Sequence, residues 1–154
     1  MRHDIAIDLI LAVIHHLLVF TIFAIFAAQM SLVRPGLGTS VAARLARLDA
    51  AYGALSVAII AAGFARAIWG LKGWDYYALY WVFWAKVSAF ALVGLLSIRP
   101  TQAYRRWQRT AASDSAYEVA ADEIAAVRSW LHRQGVVMLV IPILAAMMAR
   151  GVFY

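Results

Sequence analysis

The sequence predicts an all-α fold, an integral membrane four-helix bundle with an amphipathic cytoplasmic helical segment before the last span. Three observations carry this. First, 65% of the 154 residues are hydrophobic and only 14% charged, against roughly 45–50% and 25% in soluble domains. Second, the apolar residues fall into uncharged runs of the length that crosses a bilayer, about 20 residues for a helix. Third, at about 30–35 residues per helix and connection the chain has room for four spans in one domain and no soluble domain besides.

The first span is expected at about residues 5–32, interrupted only by Asp8, His15, His16, Thr21 and Gln29. Its apolar part is longer than the core of a secretory signal and its basic lead is only Arg2, so it reads as a retained span. Arg34-Pro35-Gly36-Leu37-Gly38 ends it, because proline and glycine disfavour continuation. Thr39 or Ser40 is the expected N-cap of the next helix. That helix starts ahead of the bilayer, with Leu45, Leu48 and Tyr52 at helical spacing, and spans about 50–69. Its small residues, among them Gly53, Ala54, Ala58 and Gly63, permit close helix approach in lipid.

A short turn, Trp69 to Asp75, leads to a third span at about 76–98, whose entry is crowded with Trp74, Tyr76, Tyr77, Tyr80, Trp81 and Trp84. Such rings favour the membrane interface. Arg99-Pro100 opens a polar connection containing Arg105, Arg106 and Arg109. Ser115-x-x-Glu118 has the spacing of a capping box. Ala120, Ile124, Val127 and Leu131 then give an amphipathic segment suited to the membrane surface, feeding a fourth span at about 135–150 that contains Pro142.

Cysteine is absent, which excludes thiolate metal sites, iron–sulfur clusters and disulfides. The net charge of +6 belongs to span-flanking basic residues that orient helices and meet anionic lipid, so nucleic acid is not an expected partner. Arg34, Arg44, Arg47, Arg99, Arg105, Arg106, Arg109, Arg128 and Arg133 share one side, nine against four on the other. The positive-inside bias therefore places both termini outside the cytoplasm of a bacterial inner membrane.

An ionisable side chain deep in a span reads as functional by default. His16, with His15 beside it, lies in the first half of span one and Lys86 near the middle of span three. Both spans enter from the same side, which puts these residues at similar depth. Neighbouring helical residues diverge by about 100°, so one histidine faces the bundle and the other does not. Imidazole is the strongest metal-binding group available to a chain without cysteine, and Phe20 and Phe23 would wall a flat ligand beside His16. Lys86 requires a countercharge; Asp8 and Asp75 lie too shallow, so an anionic ligand is expected, with Arg66 joining it. The alternative readings are histidines that hydrogen-bond neighbouring helices and an arginine that snorkels. His132 is expected at the interface, and Met138, Met147 and Met148 in packing.

Ile14-His15-His16-Leu17-Leu18-Val19-Phe20, Phe83-Trp84-Ala85-Lys86-Val87, Tyr104-Arg105-Arg106-Trp107 and Arg128-Ser129-Trp130-Leu131-His132-Arg133 resemble, in order and approximate spacing, segments of the HemJ-type protoporphyrinogen oxidases. The chain also resembles, more closely, a set of uncharacterised small bacterial four-helix membrane proteins through its double histidine and Ala145-Ala146-Met147-Met148-Ala149-Arg150-Gly151. The first resemblance implies haem b in the bundle, with His16 as axial ligand and Lys86 as an essential, catalytic partner. The family's Asn-Glu pair at the last span is replaced here by His132-Arg133, so the resemblance carries the haem site further than the oxidase activity.

The expected function is thus a haem b-binding membrane protein exchanging electrons with a quinol or porphyrinogen-type donor. In it His16, or else His15, ligates iron, while Lys86 and Arg66 neutralise propionates. The alternatives are a divergent protoporphyrinogen oxidase and a non-enzymatic accessory subunit. Membrane lipids are expected neighbours, and a homo-oligomer is compatible with the sequence.

Overall fold

The computed structural model describes residues 2–152, with side chains from Ile5 onward. Its helices are α1 (Arg2–Leu32), α2 (Thr39–Trp69), α3 (Gly73–Leu79), α4 (Trp81–Ser113) and α5 (Ala121–Ala149). All but α3 are long and apolar enough to cross a membrane. The protein is a helical membrane bundle, and its apolar outer faces, such as Leu9, Leu17, Val57 and Leu139, are surfaces for lipid contact.

The central helix is α2, which packs against α1 and against α4, and α4 carries α5. The ring closes where α5 meets α1 at a glycine: a Cβ on Gly135 would stand 3.2 Å from Phe26 Cε1. Further along the same helices, Arg128 Nη1 donates to the Val33 carbonyl at 2.7 Å. The two connections at this end are also joined, by a bridge between Gly38 and Glu118 and by the Val119 amide on the Leu37 carbonyl at 3.0 Å.

Four boundaries differ from the sequence expectation. The third span does not stop at Pro100: α4 runs through it to Ser113. An internal proline costs about 3 kcal/mol. Beyond it, however, Ala103, Tyr104 and Trp107 are buried in one core with Ile124, Val127 and Leu131 of α5, and burial of each large side chain returns about 1.5–3 kcal/mol. That same contact packs the amphipathic stretch against α4, as the first turns of α5.

The capping box does not form. Glu118 is committed to the bridge with Gly38, Asp114 accepts the Ala116 amide, and the helix begins only after Ala120. Likewise the N-cap of α2 is Gly38, with Thr39 already helical. The entry to the third span is split, because Tyr80 adopts extended backbone between α3 and α4. Tyr80 is itself buried, its hydroxyl donating to the carbonyls of Met147 and Val152.

The tightest packing sits at the connection end, where Val33, Leu37, Leu45, Tyr104, Trp107 and Leu131 are almost fully buried. Toward the other end the interior holds charge.

Candidate functional site

Helix α1 decides which histidine looks inward. His16 is exposed and its Nδ1 is hydrogen-bonded back to the Ala12 carbonyl at 2.7 Å. Phe20, one turn on, is 69% exposed on the same outer side. His15, about 100° around the helix, turns toward α2. Its ring lies beside Gly63, where a Cβ would stand 3.5 Å from Cε1, and its Nδ1 is buried with no hydrogen-bond partner.

Two cations lie within electrostatic reach of His15. The charges of Lys86 on α4 and Arg66 on α2 both act on His15, and that of Arg66 acts on Lys86. The Arg66 Nε is buried without a partner. Among the described residues no carboxylate forms an ion pair with either cation; the Arg106–Glu123 pair lies at the opposite end. Asp8 is nearby but shallower, packed at Gly70 where a Cβ would stand 2.8 Å from its Oδ1, and Asp75 is exposed.

On the outer side Tyr77 of α3 interacts electrostatically with Arg66, and burial pushes its phenol above the ordinary value, so it stays a neutral O–H donor. Its ring tilts against Phe83, centroids 5.6 Å apart. Phe83 in turn makes edge contacts with Phe64, Trp74 and Trp84. These rings interlock where α2, α3 and the start of α4 come together.

The structure thus leaves His15, Arg66 and Lys86 within electrostatic reach of one another, and turns His16 and Phe20 to the exposed face of α1. Phe23 is half-buried and packs against the core further along α1. His132 is exposed and bonds back to the Arg128 carbonyl. Met138 is buried in packing.

Chemically, the site offers one imidazole and two cations. Among the described residues no three His, Cys, Asp or Glu side chains gather to hold a metal ion. A metal that brings its own equatorial ligands needs only one or two from the protein, and a carboxylate-bearing macrocycle would also answer the two cations. Of the two histidines it is His15, not His16, that is turned inward to serve such a group.

A second polar group, which sequence reading missed, lies toward the connection end. Thr101 Oγ1 donates to Asp49 Oδ1 at 2.9 Å, and Gln134 Nε2 donates to the Tyr52 hydroxyl at 3.1 Å, which donates to Met138 Sδ at 3.7 Å. Gln29 Nε2, Gln134 Oε1 and the Tyr104 hydroxyl are buried with no partner. An open groove of about 420 Å³ between α2 and α4 borders Asp49, Thr101 and Arg105. The signal available in the sequence was Asp49 itself, a lone acid at the start of an apolar run.

Comparison with curated proteins and with solved structures returned no match. The model of the family described as "Predicted membrane protein (DUF2214)" matches residues 7–153. That is nearly the whole chain, including every residue of both polar groups, and the protein belongs to this family of membrane proteins.

Proposed function

We propose that the protein binds haem b between α1, α2 and α4 and serves as a redox component of the bacterial inner membrane, with both termini outside the cytoplasm. The observation that supports this reading is the buried, unpartnered Nδ1 of His15 within electrostatic reach of Arg66 and Lys86, with no carboxylate paired to either cation among the described residues. Two like charges inside a bilayer are costly unless answered. In a low-dielectric interior an anion between them is attracted far more strongly than in water.

In this reading His15 supplies a ring nitrogen to the iron, and Arg66 and Lys86 hold the propionates, fixing orientation as well as charge. Tyr77 donates a hydrogen bond to an anionic group at the same end. The Phe64, Trp74, Phe83 and Trp84 rings exclude water from above. Haem b, when bound, supplies one-electron chemistry whose potential follows from ligand, burial and hydrogen bonding.

The sequence resemblance to HemJ-type proteins supports extending this to protoporphyrinogen oxidation, with Lys86 beside the substrate. Complementation of a strain lacking that oxidase tests the extension separately.

The haem reading itself is tested by purifying the protein in detergent from haem-replete cells. A Soret band, with an alpha band after dithionite reduction, is the expected result. Correctly folded protein without either band overturns it and leaves the accessory-subunit reading, in which loss of His15 lowers stability alone.

A further inference from the structure

The groove between α2 and α4 has a hydrogen-bonding character that its residue types alone would not reveal. Its hydroxyl donors are already committed. Thr101 Oγ1 donates to Asp49, Ser97 Oγ to the Gly94 carbonyl at 2.7 Å, and Ser56 Oγ to the Tyr52 carbonyl at 2.8 Å. What these side chains still present to the groove is oxygen lone pairs, together with those of the Asp49 carboxyl. Arg105 is the one cationic donor at its rim.

The shape is equally restrictive. Gly53 on one helix and Gly94 on the other are bare, each with open space where a Cβ would go. Two glycine surfaces facing a common gap make a slot for a flat group rather than a branched one, and Phe90 and Val93 supply apolar contact. The groove is open rather than enclosed, and the same two helices expose the apolar Val57 and Leu95. A ligand therefore has a flat head, an apolar tail and hydroxyl groups to donate.

We propose that this groove binds a hydroquinone-class amphiphile, and binds its reduced form in preference to the quinone. The reduced head carries two O–H donors that meet the accepting oxygens of Asp49, Ser56 and Ser97. The oxidised head carries only acceptors and would face those oxygens lone pair to lone pair. A phosphate brings acceptors and negative charge against Asp49, so a phospholipid head fits worse. The proposal names the donor for the haem reading and takes its physiological meaning from it, but the binding is independent of haem and concerns no electron transfer.

The test is anaerobic calorimetry on the purified full-length protein, with tetramethylhydroquinone and tetramethylbenzoquinone as probes. The hydroquinone is expected to bind about tenfold or more tightly than the quinone, as when a site built to pair a hydroxyl meets an analogue lacking it. Asp49→Asn, which adds a donor, is expected to reduce that preference to near unity. Gly94→Leu fills the slot without touching the polar network, and should abolish binding of both probes while the protein stays folded.

Equal affinity for the two probes overturns the proposal, as does full retention of binding in Gly94→Leu. So does complete displacement by phosphatidylglycerol with no preference between the probes. Protein that lacks a Soret band yet discriminates the probes upholds this proposal while removing the haem reading; the reverse result separates them in the other direction.

Discussion

Arg66 and Lys86, on adjacent helices, lie within electrostatic reach of each other, and among the described residues no carboxylate forms an ion pair with either. Like charges held together in a poor dielectric destabilise the protein that carries them, and the haem proposed above would answer them. Lys86→Met should therefore act oppositely in two states. Protein prepared without haem is expected to gain about 1 kcal/mol or more in unfolding free energy, while haem binding falls. Denaturant titration in detergent, with and without added haem, measures both; a loss of stability in the haem-free protein would contradict the account.

Gly63 sets the distance between His15 and α2. A Cβ there would meet the ring at 3.5 Å, an ordinary contact, so Gly63→Ala is expected to keep haem and fold. Gly63→Leu must displace the ring, and is expected to weaken haem binding about tenfold or more. Absorbance titration with haemin compares the two variants, and equal affinities would place the ligand elsewhere.

Tyr52 and Gln134 form a buried pair whose removal is asymmetric. Gln134 is 1% exposed, its Oε1 is unpartnered, and its one bond runs to the Tyr52 hydroxyl. Tyr52→Phe strands the amide and should cost about 1–3 kcal/mol. Adding Gln134→Leu removes the stranded group, and the double variant should be more stable than Tyr52→Phe alone. Thermal unfolding of the four proteins in a mutant cycle reads the coupling.

Close approach of α1 and α5 rests on Gly135. Because a Cβ there would stand 3.2 Å from Phe26 Cε1, Gly135→Val should cost about 1–3 kcal/mol through overpacking. Shortening the opposing ring with Phe26→Leu should recover part of that loss, again by thermal unfolding.

The spans were legible because lipid imposes one crude requirement, an unbroken apolar run, which the sequence satisfies four times. Lys86, Arg66 and a histidine of the first span were legible as candidates for a related reason: charges in such runs are few, and helix direction bears on their depth. Which of His15 and His16 faces inward was not, since the choice depends on how α1 is rotated against Gly63, a packing fact.

Pro100 misled because a single-residue propensity of about 3 kcal/mol was outweighed by Tyr104 and Trp107, whose partners Ile124, Val127 and Leu131 lie across a chain reversal. The Asp49 group stayed hidden for the same kind of reason. Gln29, Asp49, Thr101 and Tyr104 come from three helices and have no local spacing that announces them.

The most direct test compares the visible spectra of His15→Ala and His16→Ala with that of the unaltered protein, all purified from haem-replete cells. The account predicts a Soret band in the unaltered protein, its retention in His16→Ala and its loss in His15→Ala with the helical fold intact by circular dichroism. Absence of the band from the unaltered protein, or its survival in His15→Ala, would contradict the claim that this imidazole and the two cations enclose a haem.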